Sequence, residues 1–386
     1  MPDEVLILRG KADKTPGGDT SFFFKTQKRE WNENREGFSF NFNLEKILGE
    51  IVYPQNDILD SLSDVHVVGH RLIHGGEEDA LCVEITDEVI AKMKKNISLA
   101  PLHYPPNIAG IHISSKMIPH ALQAGVFDTS FHQTIPPKAY LYGIPLEWYE
   151  HHKIRRYGFH GTSHMYAAQK ACELTGLPIN ESRIITCHLG NGASVAAIRN
   201  GKAADTSMGF TPVEGLLMGT RCGDIDAGVI LYLQENFNLG TAGIQDLINR
   251  QSGLLGLSGL SSDYRQVEEA AEKGNPDARL ALELYHYRVR KYIGAYSAVL
   301  EGLDMLVFTG GIGENSATAR RETCSGFEFL GLKLSKKLNQ NSNGKEAVIS
   351  ENDSNVKVVI VPANEELVIA RLVAELAVSG WKKEGS

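Results

Sequence analysis

Residues 184–226 read IITCHLGNGASVAAIRNGKAADTSMGFTPVEGLLMGTRCGDID, and this stretch decides how the chain is organised. It predicts a strand from Ile184, a tight turn at 190–192 and a second strand from Ser194. Asn200–Gly201 is the strongest two-residue hairpin signal, so a third strand follows it. The stretch therefore predicts an antiparallel meander interrupted by one glycine-lined turn.

The glycine turn has the composition of a phosphate-binding turn. Gly190 and Gly192 leave backbone N–H groups accessible beside the Asn191 amide, which suits the oxygens of a phosphate chain. An ordinary β-hairpin, whose glycines serve turn geometry alone, is the alternative. Arg221 and a carboxylate pair a few residues later favour the phosphate interpretation.

The composition is that of a globular protein. The chain has 386 residues, 42% of them hydrophobic, and no apolar run that could span a bilayer, so two domains are the simplest organisation. A net charge of −8 without a basic block argues against nucleic-acid and membrane-surface partners. Five scattered cysteines and an acidic Met1–Glu4 start predict a reduced cytoplasmic protein without a zinc site or signal peptide.

The remaining segments give a coarse secondary-structure prediction. Strands are expected at 4–9, 22–24, 38–42, 64–68, 305–308 and 356–361. Helices are expected at 44–54, 86–96, 108–124, 165–174, 227–233 and 244–250, and loops at 25–35, 101–107 and 251–260. Asn275 and Pro276 predict the capped start of a long helix that reaches about Leu300. Asn364 predicts the cap of a final helix that ends before Gly380.

Polar side chains follow several predicted strands, where α/β proteins expose working residues. Arg71 comes after the strand at 64–68, and Asp128 ends a short strand. His160 precedes a helix that can begin at Gly161, which would place it at the positive helix N-terminus. A turn role for Asp128 and a packing role for His160 are the alternatives.

These parts fit phosphoryl transfer better than other chemistry. The chain has no Ser–His–Asp order typical of hydrolases, and the glycines at 311–313 lack the third glycine of a dinucleotide fingerprint. Phosphoryl transfer needs backbone amides to hold phosphates, cations to neutralise oxygens and carboxylates to hold Mg²⁺. The chain offers two strand-end glycine turns, at 190–192 and 310–313, together with two arginines, a histidine and two carboxylates.

Eight motifs, in order along most of the chain, resemble the acetate kinase family: RLIHGGE (71–77), PLHYPPN (101–107), VFDTSFHQTIP (126–136), RRYGFHGTSH (155–164), CHLGNGASV (187–195), DTSMGFTPVEGLLMGTRCGDID (205–226), FTGGIGENS (308–316) and ANEELVIAR (363–371). The resemblance implies an α/β fold of two ribonuclease-H-like domains, of the actin and sugar kinase type, flanking a nucleotide cleft. It implies an N-terminal domain of residues 1–132 plus 366–386 and a C-terminal nucleotide-binding domain of 133–365. It also implies reversible phosphoryl transfer from ATP to acetate, with Mg²⁺ or Mn²⁺, in a homodimer.

The resemblance also implies roles for individual residues. Arg71 and Arg221 would orient the carboxylate and neutralise the phosphoryl group, and His160 would hydrogen-bond that group in the transition state. Asp128 would lie near the metal and the arginines, and Glu365 would help to hold the metal. The implied substrate-binding residues are Arg71, Ile73, Leu102, His103 and Pro212. The implied nucleotide-binding residues are His188, Gly190, Asn191, Gly192, Asp263, Tyr264, Arg265, Gly310, Gly311, Ile312, Gly313 and Asn315.

One family motif has no counterpart in the sequence. The family opens with a strand and a phosphate loop of the form N-x-G-S-S-S-x-K, whereas Glu4–Arg9 resembles the family's next strand. We therefore expect weak or no kinase activity and low stability. The alternatives are a kinase for propionate or another short acyl chain, and a non-catalytic nucleotide-binding remnant.

Overall fold

The structure, a computed structural model, describes residues 4–15, 17–77, 80–95, 97 and 104–384. They form two compact units. The first takes residues within 1–73, 79–127 and 369–386, and the second takes residues within 74–78 and 128–368. The domain boundaries implied at 132/133 and 365/366 remain predictions. Among the described helices, none is long and apolar enough to cross a membrane.

The first unit begins with three antiparallel strands in the spatial order β1-β2-β3. They are β1 (Leu8–Lys14), β2 (Thr20–Thr26) and β3 (Glu30–Arg35). Phe22 and Phe24 alternate on the buried face of β2. The prediction of a loop at 25–35 is wrong, since β3 lies within it. The polar sequence misled the prediction because β3 is an edge strand, whose polar side chains stay in contact with solvent. The strand predicted at 4–9 begins later, at Leu8.

Helix α1 (Phe40–Ile51) follows, where the sequence predicts a strand at 38–42 and a helix from residue 44. The alternating Phe38, Phe40 and Phe42 imitate a strand pattern. All three are exposed, so no sheet buries them. Phe40 and Phe42 lie in the first turn of the helix and Phe38 lies just before it, so the predicted strand is wrong.

A second sheet in the first unit has the order β4-β6-β5. It consists of β4 (Val67–Leu72), β5 (Cys82–Glu84) and β6 (Leu122–Phe127). β4 and β6 are parallel, and their register pairs Leu72 with Phe127 at the carboxyl ends. Helices α2 (Asp87–Lys95) and α3 (Tyr104–Met117) contribute Met93 and Ile111 to one core with these two residues.

The described part of the loop predicted at 101–107 is helical, because α3 begins at Tyr104. Pro105 and Pro106 occupy the first turn of that helix. A backbone N–H there has no partner within the helix, so proline is tolerated. Two residues with implied substrate contacts, Leu102 and His103, lie outside the described residues.

The second unit contains a six-stranded sheet in the order β11-β12-β10-β7-β8-β9. Its strands are β7 (Arg183–Leu189), β8 (Ala193–Arg199), β9 (Lys202–Thr206), β10 (Met305–Thr309), β11 (Ala347–Val348) and β12 (Lys357–Ile360). The predicted meander is confirmed as β7–β9, and Asn200 and Gly201 take the positive φ values that this hairpin turn requires. β10 lies parallel to β7 in a register that pairs Thr309 with His188. The segments after these two strands therefore start side by side.

The remaining helices are α4 (Pro137–Tyr140), α5 (Glu147–His152), α6 (Gly161–Thr175), α7 (Ala227–Phe237), α8 (Thr241–Arg250), α9 (Gly253–Ser258), α10 (Tyr264–Glu272), α11 (Pro276–Val299), α12 (Gly310–Asn315), α13 (Ala317–Cys324), α14 (Lys336–Asn341) and α15 (Glu365–Glu384). The predicted start of α11 is confirmed, since Asn275 Oδ1 accepts a hydrogen bond from the Ala278 N–H at 2.9 Å.

Three expectations about these helices are wrong. The loop predicted at 251–260 contains α9, which buries Leu254 completely. The glycine turn predicted at 310–313 is the first turn of α12. Helix α15 continues past Gly380, because one glycine lowers helix propensity by only about 1 kcal/mol and does not end a helix.

Candidate active site

Two glycine segments lie against each other at the carboxyl ends of β7 and β10. Gly310 has a φ of +77°, and a Cβ there would lie 2.8 Å from the Leu189 carbonyl oxygen, so only glycine fits. A Cβ on Gly190 would lie 3.9 Å from the backbone nitrogen of Gly311. The turn at 190–192 and the first turn of α12 thus present their backbones to the same space.

His160 is held at the start of α6 by close backbone packing. It is the N-cap residue and has a left-handed φ of +58°. The N–H of Gly161 donates to the Asp128 carbonyl oxygen at 2.9 Å, and a Cβ on Gly161 would lie 2.3 Å from that oxygen. Thr162 Oγ1 donates to Asp128 Oδ1 at 3.5 Å. Asp128 therefore lies beside the first turn of the helix that carries His160.

His160 and Arg221 converge beside the glycine turn. A Cβ built on Gly192 would lie 3.6 Å from His160 Nε2 and 3.5 Å from Arg221 Nη1. Both nitrogens therefore lie within van der Waals distance of the side-chain position of Gly192, on the same side of the glycine turn. Burial lowers the pKa of the Arg221 guanidinium. Cationic and N–H donors in a partly desolvated site bind anionic oxygens strongly.

The loop that carries Arg221 is tied to the same turn. The Gly219 N–H donates to the Asn191 carbonyl oxygen at 2.9 Å. Asn191 Oδ1 occupies the space where a Cβ on Gly219 would stand. Arg221 Nη1 donates to the Pro212 carbonyl oxygen at 3.2 Å. Pro212, an implied substrate contact, therefore lies next to Arg221.

A cavity of about 570 Å³ opens beside the two glycine segments. Eight residues with implied nucleotide contacts line it: Gly190, Asn191, Asp263, Tyr264, Arg265, Gly311, Ile312 and Asn315. Ser262, Glu268 and Ser316 complete the lining. The volume lies within the range of roughly 300–1,000 Å³ that small-molecule and cofactor pockets occupy.

Two side chains on the cavity wall are fixed by their own partners. Asp263 caps α10 by accepting the Arg265 N–H at 2.9 Å, and its Oδ2 pairs with Arg265 Nη2 at 2.7 Å. Tyr264 is buried, and its hydroxyl lies 2.9 Å from His286 Nε2. Burial raises the pKa of that hydroxyl. Tyr264 thus forms a rigid, neutral part of the wall.

Four residues with implied nucleotide contacts do not line this cavity. The His188 ring stacks on His160 with centroids 4.2 Å apart, so His188 belongs with the His160–Arg221 group. Gly192 borders the point between His160 and Arg221, and Gly310 packs against Leu189. The Gly313 carbonyl oxygen accepts a hydrogen bond from buried Arg320 at 2.8 Å and lies inside the fold.

Arg71 and Ile73 lie in the first unit, at the end of β4 and directly after it. The Arg71 carbonyl oxygen accepts a hydrogen bond from Asn107 Nδ2 at 3.1 Å. The Ile73 N–H donates to Asn107 Oδ1 at 3.4 Å. Asn107, in the first turn of α3, therefore holds this segment in place. The substrate roles of Arg71 and Ile73 remain predictions.

Asp128 and Glu365 are the two implied metal ligands. Asp128 is fully buried directly after β6, and Glu365 opens α15. In the part of the chain that the structure describes, no three His, Cys, Asp or Glu side chains are grouped to hold a metal. Mg²⁺ at phosphoryl-transfer sites takes one or two carboxylates together with phosphate oxygens and water. Asp128 and Glu365 carry the carboxylate oxygens that such a site uses, and their role as metal ligands remains a prediction.

The sequence reading missed three residues around the site. Glu268 lines the cavity, and burial raises the pKa of its carboxyl. His164 and Ser194 lie behind His160 and contact each other. His164 follows His160 by one helical turn, a spacing that could have indicated their proximity. Ser194 has no local signal beyond its place next to the glycine turn.

A sequence profile of the acetokinase family matches residues 6–371. The chain belongs to the acetokinase family. Acetate kinase from Carboxydothermus hydrogenoformans is 48% identical over 380 residues, which cover 98% of this chain and 95% of that protein. The crystal structure of Porphyromonas gingivalis acetate kinase matches with a TM-score of 0.91 at 45% identity, over 98% of this chain and 95% of that one. A propionate kinase structure from Francisella tularensis matches with a TM-score of 0.87 at 37% identity, over 94% and 91%.

Membership of the acetokinase family accounts for the architecture of both units. The acetate kinase structures that match this chain have the actin and sugar kinase-like fold, and the match to the Porphyromonas gingivalis structure extends over nearly the whole chain. The predicted α/β fold class is therefore confirmed.

Proposed function

We propose that this acetokinase-family chain is an acetate kinase, a phosphotransferase whose acceptor is a carboxylate. The main support is the convergence of His160 Nε2 and Arg221 Nη1 beside Gly192, on a turn that also borders the nucleotide-sized cavity. Two donors held beside one glycine turn suit the oxygens of a phosphoryl group in transfer. The similarity to acetate kinases supports acetate as the acceptor.

In the proposed reaction, an acetate oxygen attacks the γ-phosphorus of ATP. A new O–P bond forms, the bond from the γ-phosphorus to the β–γ bridging oxygen breaks, and ADP leaves with that electron pair. Charge spreads over the three equatorial oxygens of the transferred group, so electrostatic stabilisation matters more than a protein nucleophile. The reverse reaction makes ATP from acetyl phosphate and ADP.

Different residues of this chain bind the phosphoryl group, the acetate and the nucleotide. Arg221 neutralises the transferred group and His160 donates a hydrogen bond to it, while Arg71 orients the acetate carboxylate. We propose Ile73 and Pro212 as apolar contacts to the substrate methyl. Leu102 and His103, for which the resemblance implies substrate contacts, lie outside the described residues. The glycine turn and the lining residues of the cavity hold the phosphates and the adenosine.

Asp128 and Glu365 are the residues that we propose to hold Mg²⁺, or Mn²⁺ in its place. When bound, the metal would neutralise charge on the β- and γ-phosphate oxygens. Their hard carboxylate oxygens are the ligand type that Mg²⁺ prefers.

We also propose that the chain forms a homodimer through α7. This helix has no buried side chain, and Val229, Leu231, Tyr232 and Phe237 on it are all exposed. Exposed apolar surface of this kind marks interaction sites. A two-fold axis at α7 would bury the same apolar residues on both copies, which is the commonest form of oligomer.

The test is acetyl hydroxamate formation from acetate, ATP and Mg²⁺ by the full chain. We expect activity in the parent and a loss of about 10²–10³-fold in kcat for Arg221→Ala. Arg250→Ala, at an exposed arginine on α8, is the matched control and should retain the parent rate.

Two outcomes would contradict the proposal. A folded parent that binds ATP but forms no acetyl phosphate would indicate a nucleotide-binding remnant. A kcat/KM that is higher with propionate than with acetate would indicate the other short-chain kinase. One methylene changes binding by only about 1–3 kcal/mol, so both acids are assayed in parallel.

A further inference from the structure

A second histidine lies directly behind His160. His164 Nε2 lies 2.7 Å from Ser194 Oγ, and the same oxygen lies 2.9 Å from His160 Nδ1. At the other edge of its ring, His164 Nδ1 lies 2.7 Å from Thr186 Oγ1. A continuous chain of three hydrogen bonds therefore leads from the interior of the second unit to the imidazole of His160.

The fold fixes the members of this chain. Thr186 lies on β7, Ser194 on β8 and His164 on α6, and all three side chains are fully buried. β7 and β8 are paired in a register that sets His188 opposite Ser194. The distances are therefore set by sheet pairing and helix packing, and not by mobile surface side chains.

The protons in this chain have two consistent arrangements. Burial, with His132 and His188 nearby, holds the pKa of His164 well below 6.5, so its ring carries one N–H. A hydroxyl donates one hydrogen bond, so each bond fixes the direction of the next. Either Thr186, His164 and Ser194 each donate toward His160, or every proton points the opposite way.

We propose that His164 and Ser194 are positioning residues that hold His160 as the neutral tautomer protonated at Nε2. The inference rests on the proposed function, in which Nε2 donates to the transferred phosphoryl group. When the protons point toward His160, Nδ1 accepts from Ser194 and a neutral ring donates from Nε2. In the opposite arrangement Nδ1 carries the proton, so Nε2 donates only from a cationic ring beside Arg221, where like charge disfavours that form.

Nitrogen-15 NMR of the full chain labelled at histidine tests the tautomer directly. Protonated and unprotonated ring nitrogens give separate signals, and His160→Gln identifies those of His160. We expect protonated Nε2 and unprotonated Nδ1 in the parent, a mixture of tautomers in Ser194→Ala, and the parent pattern in Ser194→Thr. A parent with the proton on Nδ1, or a Ser194→Ala spectrum identical to the parent, would overturn the inference.

Steady-state kinetics separate positioning from packing. Ser194→Ala should lower kcat about 10- to 100-fold, as for other partners that orient a functional histidine, and change the KM for acetate and ATP less than about twofold. Ser297→Ala is the matched control, since it removes a buried hydroxyl that donates to the Ile293 carbonyl oxygen at 2.8 Å on α11. Equal losses of kcat in both variants would assign the effect to packing and overturn the inference.

Thr186 supplies a second pair of variants. Thr186→Val keeps the shape of the side chain but removes the hydroxyl, whereas Thr186→Ser keeps the hydroxyl. We expect Thr186→Val to mix the His160 tautomers and Thr186→Ser to preserve them. A parent without kinase activity would contradict the proposed function, while the NMR spectra, recorded without substrate, would still decide the tautomer.

Discussion

Arg156 Nη2 donates a hydrogen bond to Glu214 Oε1, and this contact braces the loop that carries Arg221. Arg156 Nη1 also donates to the Thr206 carbonyl oxygen at 3.0 Å, at the end of β9. Tyr142 Oη donates to the other carboxylate oxygen of Glu214 at 2.5 Å. A single carboxylate therefore links the loop to two separate parts of the second unit.

Glu214→Ala should lower the free energy of unfolding by about 2 kcal/mol. The substitution removes the charged hydrogen-bond partner of the Arg156 guanidinium, which is largely buried. Urea denaturation measures the change. Asp353→Ala, which breaks an exposed pair with Lys333, is the control and should leave stability unchanged within error. Equal effects of the two substitutions would show that the hydrogen bonds of Glu214 do not stabilise the fold.

Gly310→Ala should destabilise the chain, whereas Gly311→Ala should not. At Gly310 the φ of +77° and the nearby Leu189 carbonyl oxygen exclude a Cβ. Strain of this kind costs about 1–3 kcal/mol. Nothing lies within 4 Å of a Cβ on Gly311, which makes that position the matched control. Urea denaturation measures both variants. Equal midpoints of unfolding would contradict this explanation.

Leu231→Glu should convert the proposed dimer to a monomer, because it places a charge in the apolar face of α7. Sedimentation velocity should give the parent about twice the chain mass of 42.3 kDa and the variant a single chain mass. Leu280→Glu is closely matched, since Leu280 on α11 is 57% exposed and Leu231 is 58% exposed. A monomeric parent, or dissociation by both substitutions, would argue against α7 as the interface.

His286 should make the folded state sensitive to acid. Burial lowers its pKa from 6.5 to about 4, with Glu322 and Arg321 acting on it in opposite directions. Between these values the unfolded chain binds the proton and the folded chain does not, so the free energy of unfolding falls as the pH falls from 6.5 toward 4. The slope from one such histidine is at most about 1.4 kcal/mol per pH unit.

His286→Gln should therefore flatten the dependence of stability on pH, while its amide can still bond the Tyr264 hydroxyl. Urea denaturation between about pH 7 and about pH 4.5 measures how the free energy of unfolding changes with pH. His152→Gln, at an exposed histidine on α5, should leave the slope as in the parent. An unchanged dependence of stability on pH in His286→Gln would mean that the His286 ring has the same pKa in the folded and the unfolded chain.

Local signals predicted the elements that depend on few neighbours. Asn200–Gly201 fixes its hairpin through backbone conformation, and Asn275 fixes the start of α11 through one cap bond. The errors arise where tertiary context overrides the local pattern. The polar strand β3 exists because β2 pairs with it along its whole length.

The residues of the candidate site also fall into those that local sequence signals predict and those that depend on tertiary contacts. Its two glycine segments, Arg221 and His160 belong to motifs that are visible in the sequence, and the structure brings them close together. Glu268 and Ser194 act through contacts between separate elements. No spacing along the chain records such contacts, so these residues could be found only once the sheet and helices were packed.

The parallel pairing of His188 with Thr309 has a consequence for the proposed nucleotide site. It makes the glycine turn after β7 and the first turn of α12 extensions of one buried sheet, so they cannot reorient separately. Ordering a mobile side chain on binding costs about 0.5–1.5 kcal/mol. This wall of the cavity is already ordered when the chain folds, so a nucleotide that enters it meets a preorganised surface.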